Sequence, residues 1–267
     1  MIHTKSSLQK SCKKELAYIQ RKEEIFRKSA EKEPANWNRN LSDTVPDKVT
    51  ASLQAAFAKA FTIVFERGTT VISSTYNKDN LEQNHKIQDD TIRVKGSRRE
   101  LKRIRKMAAK HNLANSALAT AEGAGLGILG IGMPDIVIFT GVLLRGAYEC
   151  SAQYGYDSSL PHERHLILCM MEAALLRQDD WEQANRNVDR LMLSGIEPTD
   201  SEMKAQIKRT SDAFAVDMLL LKFVQGLPIV GLIGGLGNPV YYDKIMKYVQ
   251  IKYYKRYLLS LQNKKEC

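Results

Sequence analysis

The chain has 267 residues, 43% of them hydrophobic and 26% charged, with a formal net charge of +10. These are globular values, which exclude a disordered chain and a many-spanning membrane protein, and the length is enough to bury a core without covalent staples. The positive charge calls for a polyanionic partner such as anionic lipid, nucleic acid or an acidic protein. Four cysteines, Cys12, Cys150, Cys169 and Cys267, lie far apart with no CxxC pair. That spacing fits neither a disulfide scaffold nor a zinc ribbon, and free thiols in a reducing cytoplasm are expected. The basic N-terminus is not followed by an apolar run, so no secretory signal is expected.

In chain order, residues 8–32 are rich in Lys, Glu, Gln and Ala and predict a polar helix, read as an exposed arm ending before Pro34. From Asp47, apolar residues at Leu53, Ala56, Phe57, Ala60, Phe61 and Val64 recur at helical spacing, which predicts the first core helix. The β-branched stretch 69–76 has no second strand to pair with and is read as continuing helix. Residues 77–90 are polar and read as a linker, followed by a helix to about His111 and a small-residue helix around 113–122. Pro134 and Gly155 bracket a long apolar helix, and Pro161 opens another through Arg177. Asp179 and Glu182 have capping-box spacing before a helix that stops at Gly195, Thr199 opens the next, and a last helix runs from Pro239 to about Gln262. The prediction is an all-α fold: one bundle of about eight or more helices with Gly-rich apolar connections and no significant sheet. Residues 1–45 are expected as a polar helical extension and 46–267 as the main domain.

Between Arg93 and Lys110 nine basic residues face a single acid, Glu100. Lys95, Arg98, Arg99, Lys102, Arg103, Lys106 and Lys110 recur three and four apart, while Leu101, Ile104 and Ala108 keep the same spacing on another face. Such a helix either packs its apolar stripe on a core and turns its charge to solvent, or lies at an anionic membrane with the stripe in the lipid boundary. Residues 239–267 hold seven basic residues against Asp243 and Glu266, and form a second basic segment. Nucleic acid is disfavoured, because no helix-turn-helix, zinc or aromatic platform accompanies the charge.

The apolar stretches Gly123–Leu144 and Phe223–Tyr242 are each nominally long enough to cross a hydrocarbon core of about 30 Å, which takes about 20 residues. Asp135 interrupts the first, at a cost of roughly 3 kcal/mol on insertion scales, and proline beside glycine breaks both. They read as buried connections where small residues let helices approach closely, with a shallow hairpin in one leaflet as the alternative. Gly125, Gly127 and Gly130 match GxGxxG, but helix-forming residues precede them where a strand is required, and Pro134 falls inside the following helix. No dinucleotide or other cofactor is predicted.

Three blocks resemble the bacterial EcsC family, named for a protein encoded beside an ABC transporter. They are EGAGLGILGIGMPDIVIFTGVLLRGAYECSAQYGYD from Glu122 to Asp157, PHERHL from Pro161, and KFVQGLPIVGLIGGLGNPVYYDKIMKYVQIKYYKRYLL from Lys222 to Leu259. The resemblance covers most of 46–262 and implies an all-helical protein, peripheral to a membrane and tied to transporter or secretion function.

Glu122, Asp135, Arg145, Glu149, Lys222 and Asn238 flank or interrupt apolar runs. Buried charges must be paired, so they form either an internal ion-pair network or a polar pocket with Arg145 and Lys222 as anion anchors. His162, His165 and Cys169 share one helix face, but Cys169 sits among core residues and no fourth ligand is in view, so no metal is predicted. No GxSxG, HExxH or P-loop occurs. The expectation is a non-catalytic, cytoplasmic-face protein whose basic helices engage anionic lipid or a membrane complex such as an ABC transporter. The alternative is a small-ligand binder or enzyme built on Arg145, Glu149 and Lys222.

Overall fold

The computed structural model describes residues 2–31, 46–65, 72, 75–110, 133–224 and 239–263, with side chains for 6–31, 46–65, 72, 75–110, 136–220 and 241–263. Among them nine helices and no strand occur. They are α1 (Ile2–Glu31), α2 (Asp47–Ile63), α3 (Lys78–Lys95), α4 (98–110), α5 (Met133–Gln153), α6 (Pro161–Ala173), α7 (Gln178–Ser194), α8 (Asp200–Val224) and α9 (Pro239–Asn263). The all-α expectation holds. Residues 66–71 and 111–132, where further helix, the GxGxxG match and the first Gly-rich turn were placed, lie outside the described residues, as do 225–238.

The apolar spacing read from Asp47 is the packing of α2: Leu53, Phe57, Ala60, Phe61 and Val64 are buried. Phe57, Phe61, Phe139 and Tyr241 surround Phe214 with ring centroids 5.3–6.4 Å away, which joins α2, α5 and α9 around α8. α9 is the axis of the other half and packs on α1, α5, α6 and α7, while α8 lies on α2 and α6. Six tyrosines of α9 are buried: Tyr241, Tyr242, Tyr248, Tyr253, Tyr254 and Tyr257. Among the described residues, no helix is long and apolar enough to cross a membrane.

Two helix ends match their sequence signals. Thr199 and Glu202 form a reciprocal capping box, with Glu202 N donating to Thr199 Oγ1 (3.2 Å) and Thr199 N donating to Glu202 Oε2 (2.7 Å). Gly195 ends α7 in the left-handed conformation (φ 60°). The capping box read at Asp179 and Glu182 does not form, because the residue before α7 is Arg177, two positions ahead of Asp179, and Glu182 pairs with Arg186 instead.

Two segments differ from expectation. α1 is no exposed arm: Cys12 and Ile19 belong to the apolar core and Glu15 is fully buried. Its inward face is Leu8, Cys12, Glu15 and Ile19, a helical stripe obscured by the Lys and Glu that cover its other side. The polar linker read at 77–90 is helix α3. Only Leu81 and Ile92 of α3 are buried, so its apolar periodicity is faint. It is fixed instead by polar groups: Asn77 caps it by accepting from Asn80 N (2.9 Å), and Arg93 pairs with Asp89 (2.7 Å). Gly96 (φ 56°) then ends it, so the single helix expected up to His111 is two.

Candidate anion-binding face and cleft

Helix α4 divides its residues as its spacing predicts. Leu101, Ile104 and Ala108 are buried in the core, and Arg99, Lys102, Arg103, Lys106 and Lys110 are exposed, as is Lys95 at the end of α3. Because the apolar stripe is spent on the protein, the alternative in which this stripe lies in the lipid boundary is excluded. What α4 offers outward is charge. Lys95 and Arg103 each lie 3.9 Å from Glu100, the one acid between residues 93 and 110. Arg98 belongs elsewhere: its Nε donates to Glu15 Oε1 at 2.6 Å, in the α1–α4 contact. Arg105 sits 3.8 Å over the Tyr18 ring and 3.7 Å from Glu15 Oε2.

Three of the five described basic residues of α9, Lys252, Lys255 and Arg256, are turned inward, which corrects their expected place on a second basic surface, while Lys264 and Lys265 lie outside the described residues. Lys252 has no exposed side-chain surface and lies 2.5 Å from Glu23 and 2.7 Å from Asp189. Lys255 bonds the same two carboxylates, and Arg256 bonds both oxygens of buried Glu163 (2.7 and 2.9 Å). Lys244 bonds Asp217 at 3.0 Å. Of the described cations on α9, Lys247 alone is exposed.

A cleft of about 600 Å³ opens where α1, α4 and α9 meet. Its walls are apolar: Ile19, Ile25 and Phe26 from α1, Ala109 from α4, and Ile251 and Tyr254 from α9. Among the described residues five cations line it, Lys22, Arg105, Lys106, Lys244 and Lys247, and no Asp or Glu does. Arg105 and Lys244 have the carboxylates named above, whereas Lys22, Lys106 and Lys247 make no ion pair among the described residues. Only Lys106 of these residues had been singled out from the sequence. Most of the others come from α1, α9 and the end of α5, which meet only in the fold, so no local signal in the sequence groups them.

The charged residues singled out in apolar company are placed only in part. Arg145 Nε donates to Glu149 Oε1 at 3.0 Å, one turn along α5. Glu122 and Asn238, and the side chains of Asp135 and Lys222, lie outside the described residues. His162 contacts Glu197 at 2.8 Å, and His165 lies 3.9 Å from Cys169, so the two histidines of α6 have different neighbours. Among the described residues no group of three or more His, Cys, Asp or Glu side chains converges as a metal site would require.

The EcsC protein family matches the chain over residues 10–258, nearly all of it and including most of α1. The chain belongs to the EcsC family. No curated protein and no solved structure gives a significant match. In this EcsC family chain, the Tyr-Gly-Tyr-Asp sequence that closes the first resembling block is a structural knot. Gly155 has φ 80°, and a Cβ there would lie 2.3 Å from His85 Nε2. His85 Nδ1 in turn is 3.0 Å from Gln153 O. Asp157 accepts from Lys78 Nζ at 2.8 Å, and Arg256 stacks 3.9 Å over the Tyr156 ring. Four consecutive residues thus tie α3 and α9 to the end of α5, and Tyr154 among them lines the cleft.

Proposed function

We propose that this EcsC family protein is a non-catalytic peripheral membrane protein that docks electrostatically, through the outer face of α4, on an anionic surface at the cytoplasmic side of the membrane. The observation that carries this reading is the exposed row Arg99, Lys102, Arg103, Lys106 and Lys110 on a helix anchored by its buried side, with Lys95 beside it at the end of α3 and Glu100 the single acid between residues 93 and 110. A helix held this way presents its cations from an already ordered backbone, so only their side chains are ordered on binding. Each Lys or Arg brought near an anionic leaflet contributes about 1 kcal/mol, so the row together supports salt-sensitive adsorption. Lys22 and Lys247 beside the cleft extend the same field.

The test is flotation of the protein with neutral and anionic vesicles at low and high salt. Adsorption to anionic vesicles alone, lost in salt and lost in Arg99→Glu/Lys102→Glu, is the expected result. No adsorption at low salt sinks the lipid surface and turns the same row toward an acidic face of a membrane complex such as a transporter. Adsorption that survives high salt contradicts a purely electrostatic contact.

A further inference from the structure

We propose that the cleft between α1, α4 and α9 binds a single-chain amphiphilic anion: one acyl chain carrying a carboxylate or phosphate head. This goes beyond membrane docking and does not require it, although Lys106 serves both.

The argument begins with the walls. Ile19, Phe26, Ile251 and the rings of Tyr18 and Tyr254 offer a ligand apolar contact, and a polar solute set against them would lose its water without gaining partners. Ile25, at 58% exposure among the most exposed large apolar side chains described, also borders this cleft, where a chain could cover it. The volume of about 600 Å³ lies within the roughly 300–1,000 Å³ usual for small-ligand sites.

The charge of the lining selects the head. Among the described residues five cations and no carboxylate border the cleft, and three of the five have no ion pair there. Two further atoms are orphaned here. The Nε of Arg105 and the hydroxyl of Tyr154 are buried with no hydrogen-bond partner among the described residues, and Tyr154 is 2% exposed. Leaving a buried polar group unpaired costs about 1–3 kcal/mol, and an N–H and an O–H left so beside one cleft are donors that an anionic head could engage. An anionic head at Arg105 and Lys106, with its chain along Ile19, Phe26 and Ile251, satisfies both features. A nucleotide would meet the cations but would leave its base edges against apolar walls.

The experiment uses the full chain and monomeric laurate and dodecyl phosphate, kept below their micelle concentrations, in calorimetric titration. One molecule per chain is expected to bind. Neutral decyl maltoside should bind at least about tenfold more weakly, and inorganic phosphate should give no saturable heat at the same concentrations. Ala109→Trp and Ser29→Trp change exposed positions that line the cleft, so each fills it without touching core or charge. Each should weaken laurate at least about tenfold while adsorption to phosphatidylglycerol vesicles is unchanged. Equal binding of decyl maltoside, saturable binding of inorganic phosphate as tight as that of dodecyl phosphate, many molecules per chain, or unweakened binding in both folded Trp variants would overturn the proposal. Vesicle adsorption without monomer binding overturns the cleft site and leaves the docking reading standing. Monomer binding without vesicle adsorption supports the cleft and removes the docking reading.

Discussion

Arg98 Nε lies 2.6 Å from Glu15 Oε1, and Glu15, on a helix 83 residues earlier in the chain, is fully buried. The other Glu15 oxygen accepts from Tyr254 at 3.1 Å, so this one carboxylate joins α1, α4 and α9. Arg98 shares its spacing with the outer cations but acts within the fold. Arg98→Ala should therefore destabilise the protein by about 1–3 kcal/mol, the cost of removing a charged partner from a buried acceptor. Arg99→Ala, at an exposed site without such a partner, should stay within about 0.5 kcal/mol. Urea midpoints at unchanged m distinguish the two, and equal midpoints would show that Tyr254 and Arg105 suffice for Glu15.

Gly155→Ala should cost more than about 1 kcal/mol, because φ 80° is strained for any side chain and the new methyl meets the His85 ring. His85 cannot swing away freely while its Nδ1 is held at Gln153 O. Adding His85→Ala should relieve the collision and recover part of the loss, leaving the backbone strain. A thermal melt of the single variant that matches the wild type would show that the turn relaxes around alanine.

Apolar spacing made α2 legible, and chemistry at helix ends made the starts of α6 and α8 and the end of α7 legible, because these signals sit within a few residues of one another. α3 was not legible, since its two buried side chains give no period and its stability comes from a cap, a glycine and ion pairs. The outer row of α4 could be read because an absence of acids is visible locally. The inward use of α9 could not: Glu23, Asp189, Glu163 and Asp217 come from four other helices, and only the fold brings them to Lys252, Lys255, Arg256 and Lys244. The cleft was hidden for the same reason, being the junction of three helices.

Lys252 tests how much of the basic charge is structural. Burial works to lower its pKa, and the carboxylates of Glu23 and Asp189 oppose that. Lys252→Met leaves these two acids with Lys255 as their remaining lysine, and removing one member of a buried charge cluster costs about 3–5 kcal/mol. Lys252→Met/Asp189→Asn restores the balance of charge and should be more stable than Lys252→Met alone. A double-mutant cycle by denaturant unfolding measures this, and strict additivity would show that the two side chains do not interact.

Glu172 provides a stability change with pH. Burial pushes its carboxyl above the usual glutamate value of 4.5, against the opposing hydrogen bond from Gln206 (2.6 Å) and the charge of Arg209. The folded state thus holds this proton to higher pH than the unfolded state does. Its stabilising contribution is complete below the unfolded value and is lost as pH rises through the raised folded one, so the ionised group is a burden at neutral pH. Glu172→Gln keeps an oxygen for Gln206 and removes the charge. The Arg209 ion pair that it loses is long (3.8 Å) and half-exposed, and such a pair is worth about 0–1 kcal/mol. The variant should therefore melt higher than the wild type at neutral pH, with the gap closing as pH falls to about 4 and the native carboxyl takes up its proton. Thermal midpoints across that range give the answer. A variant that melts lower at neutral pH would mean that Gln206 and Arg209 together outweigh the cost of burying the charge.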